Sequence, residues 1–368
     1  MNSLARFAVP LLLLALAGSP VIAQEKSDRV KFVDRARGVE TIRNGTIEKE
    51  DPARVVLLSG ANRARLEIST ADVLEVNYDG EPAELGTARV AERNRQLEQA
   101  LAVYQEQARK VPAAQANLRA AVQFKVAELR AQLSEGAAGA SRAGAIEEVR
   151  KFLRDFPESR HALSAWDLWA RLRLLEGQSL DEGLAAVRGL RGKFGTTNDF
   201  AGRCDAFEIY YLLQQAQEQS KAKPDDAAKL FGAARERLEA LAKNADASAA
   251  VELRAALAVC RAMTGQREAA LKELDEQLKT ADTPRARATI HLGRADCQRL
   301  TGQGREALWD YLWVDTVYNQ DREQQAKAVF YLGELFEKLG DAPKAKEARE
   351  RLANDVRLKD TRYGRLAK

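Results

Sequence analysis

The sequence predicts a mostly α protein, an α-solenoid of about six helical hairpins preceded by a small β-barrel. Three observations lead there. First, Gly265, Gly302 and Gly340 lie 37 and then 38 residues apart. Each is followed five positions later by an alanine (Ala270, Ala307, Ala345) and preceded seven positions earlier by a small residue (Ala258, Ala295, Gly333). A fixed period of this length belongs to stacked helical hairpins, each burying its apolar face on the next. Second, alanine, leucine, glutamate, glutamine, lysine and arginine dominate after residue 85, and the chain has only nine prolines. These are strong helix formers. Third, residues 29–78 hold short, alternating, β-branched runs bounded by turn residues.

In chain order, residues 1–23 read as a targeting segment. Arg6 supplies positive charge, Phe7 to Ala17 is apolar but short for a bilayer span, and Gly18, Ser19 and Pro20 break the helix. Val21-Ile22-Ala23 places cleavage before Gln24, with retention as an anchor the alternative. Ser19 stands where a lipoprotein box needs cysteine, which argues against a lipid anchor. The expected location is periplasmic or extracellular.

Residues 24–82 form the expected barrel domain, with strands at 29–33, 39–43, 46–49, 54–58, 64–68 and 73–78. Asn44-Gly45 makes a tight turn or a bulge within one long bent strand. Asp51-Pro52 is a turn, Ser59-Gly60-Ala61-Asn62 a hairpin loop, and Ser69-Thr70-Ala71-Asp72 a helical turn. With Thr41-Ile42-Arg43-Asn44-Gly45-Thr46-Ile47, Arg54-Val55-Val56-Leu57 and Ala71-Asp72-Val73-Leu74-Glu75-Val76, this order resembles Sm-like and SH3-like small barrels. In an exported chain that resemblance implies a docking module rather than RNA binding. Asn44-Gly45-Thr46 also matches a glycosylation sequon, and is read here as a turn.

Residues 83–368 form the expected helical repeat domain. A leading helix covers 88–110. Hairpins follow at 113–134 with 142–156, 159–176 with 180–194, 199–218 with 225–243, 246–264 with 266–280, 283–301 with 303–319, and 322–339 with 341–355. Breakers separate them, among them Phe156-Pro157, Gly177, Gly195, Asp282-Thr283-Pro284 and Asn319-Gln320-Asp321.

The most complete unit runs from Val329 through Leu332-Gly333, Phe336 and Gly340 to Ala345, and it resembles a tetratricopeptide repeat. Leu332-Gly333 matches the leucine–glycine pair, Phe336 the aromatic, Gly340 the inter-helix turn and Ala345 the small second-helix residue. Leu257, Ala258, Gly265, Ala270 and Leu274 fit a second unit. Ala295, Gly302, Ala307 and Tyr311 fit a third, although Arg294 and Gln298 replace apolar residues. Trp166, Ala170 and Gly177 fit a fourth. These helices are longer than the family period of about 34 residues allows. The stretch Phe152-Leu153-Arg154-Asp155-Phe156-Pro157-Glu158-Ser159 resembles helix ends in envelope repeat proteins, including outer-membrane assembly and cell-division scaffolds. The resemblance is to a fold that hosts many roles.

The chemistry-bearing residues are few. Fifty-eight basic and 54 acidic residues leave a net charge of +4 with no long basic block, which does not suit nucleic-acid binding. His161 and His291 lack metal spacing, no CxxC pair exists, and no nucleophile elbow, phosphate loop or dinucleotide fingerprint is present. The expectation is no enzyme, no cofactor and no metal. Cys204, Cys260 and Cys297 are an odd set for a disulfide framework and read as small buried residues. Most of Trp166, Trp169, Tyr210, Tyr211, Trp309, Tyr311, Trp313 and Tyr318 read as inter-repeat packing, with any outward-facing ones candidate partner anchors.

Arrays of this kind bind proteins on the concave face lined by first helices, and the resemblance puts Asp167, Arg171, Leu292, Asp296, Arg299, Phe330, Glu334 and Glu337 there. The mixture lacks the lysine–asparagine clamp with which some family members grip a carboxyl terminus. The leading expectation is a non-enzymatic protein-interaction scaffold in the cell envelope. A component of an outer-membrane assembly, secretion or cell-division machine is the second reading, and a hydrolase with an unrecognised site the third.

Overall fold

A computed structural model describes residues 27–60, 62–135, 140–195, 198–246, 249–359 and 361–367. The targeting segment expected at 1–23 lies outside the described residues. Five strands come first: β1 (Asp28–Asp34), β2 (Val39–Glu50), β3 (Arg54–Ser59), β4 (Ala64–Ser69) and β5 (Val73–Asn77). They form one antiparallel sheet in the order β4-β3-β2-β1-β5, so β4 and β5 are its edges. The two segments expected at 39–43 and 46–49 are one long strand. Gly45 sits inside it, where an added Cβ would lie 2.2 Å from the Leu58 carbonyl oxygen, so only glycine lets β2 approach β3 this closely. The pairing slips between Ile47 and Lys49, a bulge that bends the strand. The turn into β3 is fixed by the Asp51 carboxylate, which accepts from the Ala53 and Arg54 amides at 2.9 and 3.0 Å.

Fifteen helices follow among the described residues: α1 (Glu84–Arg93), α2 (Leu97–Lys110), α3 (Ala116–Glu135), α4 (Ala140–Asp155), α5 (Ala162–Leu175), α6 (Asp181–Phe194), α7 (Asn198–Ala222), α8 (Ala227–Ala242), α9 (Ala250–Arg261), α10 (Arg267–Thr280), α11 (Pro284–Leu300), α12 (Gly304–Thr316), α13 (Arg322–Lys338), α14 (Ala342–Asn354) and α15 (Arg362–Leu366). From α3 to α14 they pair as the six expected hairpins. The expected leading helix at 88–110 is instead two helices, α1 and α2. Arg95 takes a left-handed φ of 59° and the Gln96 amide reaches back to the Ala91 carbonyl at 2.9 Å. This is a helix-stop motif made without the usual glycine.

The repeat glycines do the same work with the residue best suited to it. Gly265, Gly302 and Gly340 have φ of 90°, 85° and 84°. At Gly302 the Gln303 amide bonds the Gln298 carbonyl at 2.8 Å, and at Gly340 the Asp341 amide bonds the Phe336 carbonyl at 2.8 Å. Each closes a first helix and turns the chain into a second. Starts are capped as the breakers imply: Thr283 accepts from the Ala286 amide, and Asp321 from the Glu323 and Gln324 amides. The small repeat residues Ala258, Ala270, Ala295, Ala307 and Ala345 are all fully buried, which lets neighbouring helices approach.

The sheet packs on the array. Val30, Phe32, Leu57, Ile68 and Val76 share one apolar core with Leu85, Ala88, Tyr104, Leu118 and Val122 of α1–α3. Polar ties support it. Arg160 pairs with the buried Glu50 at 2.6 Å, the Tyr78 hydroxyl donates to the same carboxylate at 2.9 Å, and the Ser69 hydroxyl donates to Asp199 at 2.6 Å.

Candidate functional groove

The first helices α7, α9, α11 and α13 stand side by side and line a cavity of ≈ 350 Å³, floored by Ile209, Leu213, Val259 and Leu292 and rimmed by Glu252 and Lys327. A second cavity of ≈ 320 Å³ lies between α5, α7 and α13, lined by Arg171, Leu174, Phe330 and Glu334. Tyr210, Arg362 and Tyr363 line both. The two cavities are thus the two halves of one groove, and α15 sits across its middle.

Five of the eight residues expected on the concave face line the groove and three do not. Arg171, Phe330 and Glu334 line one cavity, and Leu292 and Asp296 line the other. Asp167 pairs with Arg171 at 3.3 Å and with Arg362 of α15. Arg299 lies beneath the groove. It donates to the Tyr311 hydroxyl at 3.0 Å and to Asp296 at 3.1 Å, and it stacks 3.9 Å from the Tyr331 ring centre. Glu337 is directed to the next helix, pairing with Arg349 of α14 at 2.9 Å.

Asp296 anchors the groove floor. It is 1% exposed and accepts from the Tyr311 hydroxyl and the Lys327 ammonium, both at 2.6 Å. Burial works against its charge, but Lys327 and Arg299 outweigh burial and hold its carboxyl below the usual range. Asp167 is governed in the same way. Burial opposes its charge, while Arg362, Arg171 and the Tyr211 hydroxyl, which donates at 2.8 Å, bring its pKa down.

The seat of α15 was not among the expected features. Arg362 pairs with Asp167, lies 4.0 Å from the Tyr210 ring centre and 5.4 Å from that of Tyr211, and has its backbone amide on Glu323 at 3.1 Å. Tyr363 is buried against the Phe330 and Tyr331 rings, at 5.5 and 5.9 Å. The one sequence signal was the Tyr210-Tyr211 pair on a predicted first helix. Nothing in the periodicity pointed to residues 361–367.

Elsewhere the chemistry is self-contained. His161 stacks on Phe124 at 4.3 Å, and burial drives its pKa well down. His291 Nδ1 lies 2.7 Å from Asp310. The three cysteines are buried and unpaired, and burial pushes Cys204 and Cys260 up to about 12. A cavity of ≈ 290 Å³ beside the sheet is lined by charged groups that pair among themselves, such as Lys125 with Glu92 and Glu128 at 3.0 and 2.8 Å. Among the described residues no group of three or more His, Cys, Asp or Glu side chains is placed to hold a metal, and no helix is long and apolar enough to cross a membrane. Trp309 and Trp313 face outward on α12, 71% and 48% exposed.

No family model matches this chain, and no curated protein is significantly similar to it. Among solved structures, the crystal structure of the P58(IPK) TPR domain is similar, at 15% identity over 70% of this chain and 79% of that one, with a TM-score of 0.20. At that score the likeness carries no argument. The fold stands on the hairpins and glycine turns described above.

Proposed function

We propose that the chain is a non-enzymatic scaffold that binds a protein partner in the groove formed by its first helices. The observation that carries this reading is the groove itself: the first helices α5, α7, α9, α11 and α13 give it an apolar floor and a charged rim, with cavities of ≈ 350 and ≈ 320 Å³ on either side of α15. Concave, mostly apolar surfaces with a few placed polar groups are where chains of this architecture meet partners. The outward tryptophans on α12 offer a second contact face. The targeting pattern at residues 1–23 supports export to the cell envelope, periplasmic or beyond, with the sheet as a docking module.

A photo-crosslinking residue placed at Glu334, in the groove, tests this against the same residue at the exposed Glu268 on α10. The expected outcome in the source cells is a protein adduct at Glu334 and none at Glu268. No adduct, or equal adducts at both, removes the groove. Fractionation with N-terminal sequencing tests export: the expected mature chain begins at Gln24, and an uncleaved cytoplasmic chain refutes it.

A further inference from the structure

The groove already holds a ligand-like segment, and its seat is specific. The Tyr211 hydroxyl fixes the Asp167 carboxylate by donating to it at 2.8 Å, with the Asp167 backbone carbonyl a second acceptor within reach at 3.1 Å. The Tyr210 ring provides a flat face 4.0 Å from the guanidinium carbon of Arg362. A positioned carboxylate beside an aromatic face suits a planar guanidinium and serves an ammonium poorly. One residue on, Tyr363 fills an aromatic slot against Phe330 and Tyr331.

The occupant is shorter than its groove. α15 has five residues, yet open volume continues on both sides of Arg362 and Tyr363, toward Ile209 and Leu292 one way and Leu174 and Leu175 the other. Its conformation is maintained from outside the groove. Leu358 and Thr361 are fully buried, and at Gly364 an added Cβ would lie 2.1 Å from the Leu358 carbonyl oxygen.

From this we propose that the groove recognises an arginine–tyrosine segment of a protein partner, for which the chain's own Arg362 and Tyr363 stand in until it is displaced. This rests on the groove reading above. The charge pattern agrees: with Arg362 withdrawn, Asp167 keeps only the Arg171 guanidinium on its own helix and Glu323 loses a backbone donor, and a partner arginine restores the second ion pair. The tethered copy competes at high effective concentration, so a partner displaces it by also filling the flanking cavities.

The test uses a fluorescein-labelled peptide of sequence Thr-Arg-Tyr-Gly-Arg-Leu, the full chain, and a full-length Arg362→Ala/Tyr363→Ala variant whose fold is checked by circular dichroism. If that variant melts early, Gly364→Ala, which keeps both side chains but unseats the helix, replaces it. The peptide is expected to bind the variant at least about 10-fold more tightly than the native chain, because the native groove is mostly occupied. Replacing the first peptide arginine, the counterpart of Arg362, by lysine, or adding Asp167→Asn to the variant, is expected to abolish that gain. Equal binding to native and variant chains, or equal binding of peptides with arginine and with alanine at that position, overturns the proposal. So does a native dimer that Arg362→Ala dissociates, since the natural occupant would then be a second copy. A Glu334 adduct without peptide binding removes this proposal alone. Peptide binding without any adduct keeps the recognition chemistry and removes the scaffold reading.

Discussion

Arg362 and Asp167 are 195 positions apart in the chain and form an ion pair inside the groove. The pair joins the last described helix to the second hairpin, with four hairpins between them. Asp167→Asn leaves the guanidinium without its counter-charge in a partly screened site. The expected loss is ~2 kcal/mol in urea unfolding, below the cost of breaking a fully buried pair. A double-mutant cycle with Arg362→Ala is expected to return a coupling of about 1–2 kcal/mol.

Asp296 makes the fold acid-sensitive. Its carboxyl is held below 3.8 in the folded state, so its contribution is complete above that value and is lost as pH falls through the lower folded pKa. Stability followed by urea unfolding from pH 5 to pH 2 is expected to fall more steeply in the native chain than in Asp296→Asn. At neutral pH Asp296→Ala is expected to cost ~3 kcal/mol, because the buried Arg299 and the half-buried Lys327 are left without their carboxylate.

Glu50 acts with the opposite sign. Burial raises its carboxyl above 4.5, more than Arg160 and Tyr78 lower it. The folded chain therefore holds this proton more tightly, and the group subtracts stability as pH rises through 4.5 to the folded value. Glu50→Gln is expected to remove that loss, so its stability relative to the native chain improves with rising pH across this window in the same unfolding series.

The glycines separate two kinds of requirement. At Gly302 and Gly340 an added Cβ meets nothing within 4 Å, so alanine pays only for the left-handed backbone, ~1–2 kcal/mol each. At Gly45 the backbone is unstrained in φ but the Leu58 carbonyl is in the way, and alanine must part β2 from β3. Thermal melts are expected to rank Gly45→Ala as the most destabilising of the three.

The chain's tryptophans report two environments. Trp169 is fully buried against α6, with Gly183 making room for it, while Trp309 is 71% exposed. Trp309→Ser is expected to change stability by no more than ~0.5 kcal/mol and to remove the component of fluorescence most readily quenched by iodide.

Local signals carried most of the fold. Alternation located the strands to within a residue or two, and the long bent strand expected as one of two readings of Asn44-Gly45 is present, but its bulge falls between Ile47 and Lys49 while Gly45 marks a close approach. The glycine period located the hairpins because a left-handed helix stop favours that residue. The stop at Arg95 was invisible for the same reason: it uses a residue with no such preference. The groove was legible only in part. Helical register put Asp167, Arg171, Leu292, Asp296, Phe330 and Glu334 toward it. Register says nothing of what a neighbouring helix lays over a side chain, and so it missed Lys327 and Tyr311 enclosing Asp296. Arg362 and Tyr363 lie in a segment too short for periodicity, and their partners are remote in sequence.

Repeat arrays commonly gain and lose units over evolution, since each hairpin needs only its neighbours. The span from Asp167 to Arg362 withdraws that freedom. Adding or deleting one hairpin between them would shift α15 by a full repeat and leave Asp167 with only Arg171 of its own helix, so in this chain the number of units is locked by a contact that no single unit contains.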